Sequence, residues 1–79
     1  MNKRVAAILA DVFRLRAGDV HPGLKKEDVG GWDSLTQMDL VMSVEREFDI
    51  ELAIGDIVRL VSVADIIAVL KEKGVSLED

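Results

Sequence analysis

Apolar residues at helical spacing dominate the start of the chain. Val5, Ile8, Leu9, Val12 and Phe13 follow the i, i+3, i+4, i+7, i+8 pattern of a helix with one buried face. This pattern predicts a first helix over residues 2–16. The Val- and Ile-rich segment "DIVRLVSVADIIAVL" has a composition typical of strands. Its polar residues fall at helical spacing and do not alternate, so it too is predicted to be helical.

Three further helices follow from local signals. The second is predicted over 34–48, and a short third helix around 56–61, with Asp56 near its start. In the fourth, Ser62 is an N-cap candidate, Asp65 stands where a capping box needs it, and Gly74 ends the helix. The prediction is an all-α, single-domain four-helix bundle over 1–79. It has three longer helices, a short third helix and a long Gly- and Pro-containing loop, 17–33, between helices 1 and 2.

Composition excludes several classes of function. The chain has no cysteine, so any thiol chemistry needs a cofactor, and its net charge of −5 disfavours nucleic acid as a partner. No segment is long and apolar enough for membrane insertion, and a cytoplasmic location is expected. The only histidine, His21, stands beside Pro22 in the loop, so neither a Ser/His pair nor a metal-ligand cluster is expected. An enzyme is therefore not predicted.

The second helix carries two apolar arcs. The first consists of Leu40, Val41, Val44 and Phe48, and the second of Leu35, Met38 and Met42. A single neighbouring helix cannot cover both arcs. Either the helix is central and the long loop covers the second arc, or that arc stays exposed as a docking surface with adaptable methionines. Spacing alone favours the first arrangement.

The start of the second helix offers two capping schemes. Ser34 with Gln37 three residues later fits a capping box, in which case the serine only begins a helix. Alternatively Asp33 is the N-cap, and the Ser34 hydroxyl is free to point outward at the first helical position. A phosphodiester attached there would be stabilised by unpaired N–H groups and by the helix dipole. Trp32, just before this site, is an aromatic residue that can pin the loop to the bundle.

Three motifs together resemble an acyl carrier protein over nearly the whole chain. They are "DSL" at the start of helix 2, "DLVMSVEREFDIEL" along it, and "SVADIIAVLKEKG" near the end of the chain. The resemblance implies that Ser34 receives 4′-phosphopantetheine from coenzyme A, transferred by a Mg²⁺-dependent holo-acyl-carrier-protein synthase. It also implies that Asp33 helps to position the metal in the complex with that transferase. The arm's thiol would hold acyl groups as thioesters and present them to partner enzymes.

The resemblance further implies that helix 2 docks onto basic patches of acyl-activating, synthase or acyltransferase enzymes, with the carrier as a monomer. The positions that match the family's docking residues are Leu35, Met38 and Met42 for apolar contact, and Asp39, Glu45 and Glu47 for charge.

The sequence differs from carriers of fatty acid synthesis at three positions, and these differences bear on the cargo and the pathway. Thr36 and Arg46 stand where those carriers usually have acidic residues, and Trp32 precedes the aspartate. A specialised pathway is therefore expected. Two alternatives stay open: an aminoacyl carrier of the peptidyl, aryl or D-alanyl type, and an unmodified helical interaction module.

Overall fold

The computed structural model describes residues 1–77, which contain four helices and no strand. The helices are α1, Lys3–Phe13; α2, Ser34–Phe48; α3, Ile54–Val58; and α4, Val63–Glu72. Single 3-10 turns at Ala17–Asp19 and Lys26–Asp28 lie in the long loop. This architecture confirms the predicted all-α bundle with one short third helix. No helix within residues 1–77 has the length and apolar character needed to cross a membrane.

The first helix is shorter than its apolar pattern predicts. It begins after Asn2, whose side chain accepts a hydrogen bond from the Val5 N–H at 3.1 Å, and it ends at Phe13 and not at residue 16. Arg14 causes the early end because its backbone is left-handed, with φ 58°. Its N–H turns back to the carbonyls of Ala10 and Asp11, and this closes the last turn.

Helices α1 and α2 run antiparallel. At one end the Arg4 guanidinium pairs with the Glu47 carboxylate at 2.7 Å. At the other end the Phe13 ring packs against the Trp32 ring, with 4.4 Å between the ring centroids. The start and end of α2 match the prediction, and the left-handed backbone of Asp49, φ 53°, terminates the helix.

Helix α3 begins two residues earlier than predicted. Asp56 is near its start, as predicted. It lies in the first turn, and its carboxylate accepts the N–H of Ala53 at 2.9 Å. Ion pairs tie this short helix and its end to α4. The Lys73 ammonium lies 2.9 Å from the Asp56 carboxylate, and the Arg59 guanidinium binds both oxygens of Glu72 at 2.6 and 2.7 Å.

The long loop is fixed to the α3–α4 connection by backbone hydrogen bonds. The Lys26 N–H donates to the Val61 carbonyl, and the Val63 N–H donates to the Leu24 carbonyl, each at 2.9 Å. Ser62 is the N-cap of α4, as predicted, and its hydroxyl accepts the Asp65 N–H at 3.1 Å. The loop also contributes three side chains to the core: Val20, Val29 and Trp32.

The core explains which arc of α2 is buried. Its fully buried members are Val5, Leu9, Leu40, Val44, Leu60, Val63, Ile66, Val69 and Leu70. The second arc of α2, formed by Leu35, Met38 and Met42, is exposed. The expectation that the long loop covers this arc is wrong, because the loop is bonded to the α3–α4 connection instead.

Candidate functional site

The Ser34 hydroxyl is exposed at the first position of α2. Asp33 is the N-cap, and its Oδ1 accepts the Thr36 N–H at 2.9 Å. The capping box between Ser34 and Gln37 is therefore wrong. Within residues 1–77 the Ser34 hydroxyl has no hydrogen-bond partner. The serine oxygen is thus free for chemistry at a helix N-terminus.

The carboxylate next to this hydroxyl is held in its charged form. The pKa of Asp33 is lower than its ordinary value. The main cause is the hydrogen bond from the Thr36 backbone N–H, which stabilises the charged carboxylate. Asp33 is also exposed. The site therefore presents an ionised carboxylate and a free alcohol on adjacent residues.

A hydrogen-bond network beneath the site joins the loop, α2 and α3. The Trp32 indole N–H donates to the Gln37 side-chain oxygen at 2.6 Å. The amide nitrogen of Gln37 donates in turn to the carbonyls of Ile57 at 3.0 Å and Leu60 at 3.2 Å. Trp32 is only 4% exposed, so it pins the loop to the bundle. Sequence reasoning missed this role of Gln37, because no local signal indicates a bond that reaches twenty residues along the chain.

The docking strip consists of Leu35, Met38 and Met42, which are all exposed. Leu35, directly after the serine, is 77% exposed. Large apolar side chains that are this exposed do not contribute to the stability of the core. A contiguous exposed surface of such side chains is typical of a site where a partner protein binds. The strip begins at the residue next to Ser34 and continues for two turns of α2.

A second apolar surface lies on α3 and the turn that follows it, and it was missed from the sequence. This α3 patch consists of Ile54, Val58 and Val61, and Ile54 is 81% exposed. Helix α3 lies along α2, since Glu45 accepts the Leu52 N–H at 2.8 Å and Gln37 holds the far end of α3. The patch could not be predicted because the bounds of α3, and hence its outward side, depend on these tertiary contacts.

The three acidic residues predicted to dock partners differ in their surroundings. Asp39 is exposed and has no ion pair among residues 1–77. Glu45 is half-buried and accepts the Leu52 N–H, while Glu47 is paired with Arg4. Of these three acids, Asp39 is thus the most available to a partner, because its side chain is exposed and makes neither an ion pair nor a hydrogen bond within residues 1–77.

Among residues 1–77 no group of three or more His, Cys, Asp or Glu side chains could hold a metal ion. His21 is exposed in the loop.

Comparison with known proteins gives the class of this domain. The family model described as phosphopantetheine attachment site matches residues 3–70. Two curated relatives are each named acyl carrier protein. That of Solidesulfovibrio magneticus is 32% identical over 71 residues, covering 90% of this chain and 91% of the relative. That of Nitratidesulfovibrio vulgaris is 32% identical over 73 residues, covering 92% of this chain and 96% of the relative.

The helical fold with an exposed serine at a helix start is thus that of a phosphopantetheine-bearing carrier domain. The chain belongs to the acyl carrier protein family. Its prosthetic group is 4′-phosphopantetheine, and the protein is a carrier and not an enzyme. The residues at the start of α2 suit such a group, because they combine a free hydroxyl with the positive end of a helix dipole.

Proposed function

We propose that Ser34 carries the 4′-phosphopantetheine arm and that the protein presents acyl groups, held as thioesters on that arm, to partner enzymes. The observation that supports this most directly is the division of roles at the start of α2. Asp33 caps the helix, so the Ser34 hydroxyl is exposed and has no internal hydrogen bond among the described residues. Its oxygen would form a bond to the pantetheine-bearing phosphorus of coenzyme A as the pyrophosphate P–O bond breaks. The products would be a serine phosphodiester, 3′,5′-adenosine diphosphate and the proton lost from the hydroxyl. The terminal thiol of the arm supplies the sulfur that the polypeptide lacks.

Asp33 is proposed to help position Mg²⁺ when the holo-synthase binds. Its hydrogen bond to the Thr36 N–H fixes the carboxylate beside the serine and lowers its pKa, so the group is ionised at neutral pH. An exposed carboxylate next to the reacting hydroxyl is a suitable oxygen ligand for Mg²⁺. Its capping role is compatible with this second role, because one carboxylate oxygen can cap while the other binds a metal.

Partner enzymes are proposed to dock on the strip of Leu35, Met38 and Met42. Acyl carrier proteins work with synthase and transferase enzymes. Asp39 adds an unpaired negative charge for basic residues of such partners, with Glu45 and Glu47 nearby on α2. The α3 patch extends the apolar surface that a partner can cover.

The pathway is proposed to be a specialised one in the cytoplasm, with the carrier acting as a monomer. Thr36, Arg46 and the buried Trp32 support this, since they depart from carriers of fatty acid synthesis. An aminoacyl carrier uses the same kind of serine, so the activating enzyme decides between the two cargoes. Loading assays with fatty acids and with amino acids as competing substrates distinguish these alternatives.

The attachment site is tested by intact-protein mass spectrometry. The purified chain is incubated with coenzyme A, Mg²⁺ and a broad-specificity holo-synthase, and a gain of one phosphopantetheine is expected. Ser34→Ala should abolish the gain, while Ser43→Ala, at a half-buried serine in the same helix, should leave it unchanged. A well-folded sample that gains no mass would instead support the unmodified interaction module, whose partner binding should survive Ser34→Ala.

A further inference from the structure

The side of the docking strip that faces away from α3 carries charges of both signs. Asp39 and Arg46 are seven residues apart on α2, so they lie on one side of the helix, about 10 Å apart along its axis. Arg46 also follows Met42 by four residues and therefore borders the strip. Both charged side chains are exposed, and neither has an ion pair among residues 1–77. A partner that covers the strip must meet both charges.

A second cation borders the strip near Ser34. Arg14, at the end of α1, is exposed and likewise has no ion pair among the described residues. A surface pocket brings it together with residues on both sides of the serine; its lining includes Phe13, Arg14, Asp33, Leu35, Thr36 and Asp39. The Arg14 backbone is left-handed, with φ 58° and ψ 45°, a conformation that costs free energy for an arginine because of its Cβ atom.

The remaining acids of α2 do not offset these cations at the strip. Glu47 is paired with Arg4 on the α1 side of the helix. Glu45 keeps its charge, but it lies on the α3 side of the strip, where it accepts the Leu52 N–H. On the side that faces away from α3, the border of the strip therefore consists of two carboxylates, Asp33 and Asp39, and two guanidiniums, Arg14 and Arg46. Its formal charges cancel, although the whole chain carries −5.

We propose that this mixed-charge border selects partner enzymes whose docking surface carries an acidic residue opposite Arg46 or Arg14 beside a basic residue opposite Asp39. The same border disfavours a uniformly basic patch, because like charges brought together at an interface oppose binding. This inference rests on the proposed function, since it concerns the enzymes that dock to reach Ser34. The mixed charges would explain how the carrier distinguishes between partner enzymes.

The test uses a broad-specificity holo-synthase with a uniformly basic carrier-binding patch as the probe. The kcat/KM for loading is measured for the wild-type chain, Arg46→Glu and Arg14→Glu at about 50 mM and about 300 mM salt. Each Glu variant should be loaded about three- to tenfold faster than wild type at low salt, and the gain should shrink at high salt. Lys71→Glu, on α4, makes the same change in net charge away from the strip and should alter kcat/KM less than about twofold.

A second arm replaces the basic patch residues of the same holo-synthase, one at a time, with glutamate. At least one of these enzymes should load wild type faster than Arg46→Glu, which reverses the order seen with the basic patch. The inference is overturned if Arg46→Glu behaves like Lys71→Glu, or if no replacement reverses the order. Circular dichroism verifies that every variant is folded. If no variant gains the phosphopantetheine mass at all, the proposed function fails and the inference fails with it.

Discussion

The indole N–H of Trp32 donates a hydrogen bond to the side-chain oxygen of Gln37, with 2.6 Å between Nε1 and Oε1. The other end of the same amide donates to the carbonyls of Ile57 and Leu60. One side chain of α2 thus fixes both the residue before the Asp33–Ser34 pair and the end of α3. The start of α2 is therefore held by tertiary contacts as well as by its own cap.

Replacement of Gln37 by Ala should lower the free energy of unfolding by about 1–3 kcal/mol, because a buried indole N–H loses its acceptor. Urea denaturation measures the loss, and the fluorescence of Trp32, the only tryptophan, reports on the loop directly. Met42→Ala, at an exposed position of the same helix, is the control and should change stability by less than about 0.5 kcal/mol. Equal effects of the two substitutions would show that the network contributes nothing.

Replacement of Ser34 by Ala should leave the free energy of unfolding within about 0.5 kcal/mol of wild type while abolishing loading. The reason is that Asp33, and not Ser34, caps α2. Asp33→Ala should accordingly lower the urea midpoint more than Ser34→Ala does. The reverse order of midpoints would assign the cap to the serine and would contradict the geometry on which the attachment site rests.

Acidification should weaken the attachment of α3 to α4. A hydrogen bond from Lys73 lowers the pKa of Asp56, and one from Arg59 lowers the pKa of Glu72. A carboxyl group with a lower pKa in the folded chain stabilises the fold above its unfolded pKa, and this contribution is lost as pH falls through the folded pKa. The urea midpoint should therefore stay nearly constant from about pH 7 to 5 and fall below about pH 4.5.

Glu72→Gln is the matched variant for this acid response. It cannot ionise, so its urea midpoint should be lower than that of wild type at pH 7 and should fall less steeply in acid. A midpoint that rises on acidification would have the wrong sign for groups with lowered pKa values.

Replacement of Arg14 by Gly should stabilise the fold by about 0.5–1 kcal/mol, because glycine adopts the left-handed backbone without the steric cost of a Cβ atom. Thermal and urea unfolding measure the gain. Arg14→Ala is the control, since it removes the guanidinium but keeps the Cβ at φ 58°. If Arg14→Gly and Arg14→Ala are equally stable, the left-handed backbone carries no cost at this position.

Replacement of Leu35 by Ala should reduce the kcat/KM of loading by about five- to tenfold without loss of stability, because an exposed apolar side chain contributes only when a partner covers it. Val58→Ser tests whether the α3 patch belongs to the same interface. Ala68→Ser, on an exposed position of α4, is the control and should leave loading unchanged. Loading that is insensitive to Leu35 would place the docking surface elsewhere.

The sequence by itself determined the three longer helices and which residues stand at the start of α2. The apolar spacing from Val5 to Phe13 and the caps at Asp33 and Ser62 act within a few residues, so they are legible without a fold. Asp33 and Ser34 are neighbours in the chain, so their arrangement at the start of α2 is local too. Sequence reasoning therefore proposed Ser34 as a candidate attachment site and left two capping schemes open, of which the structure shows the one with Asp33 as N-cap.

Only the tertiary structure decided which surfaces stay open. Spacing along α2 defined the arc of Leu35, Met38 and Met42, but its exposure depends on the long loop bonding to Val61 and Val63 in the α3–α4 connection. The bounds of α3 depend on Gln37 and on ion pairs to α4. Contacts between residues distant in the chain leave no local pattern, because neither partner needs a particular neighbour in sequence to make them.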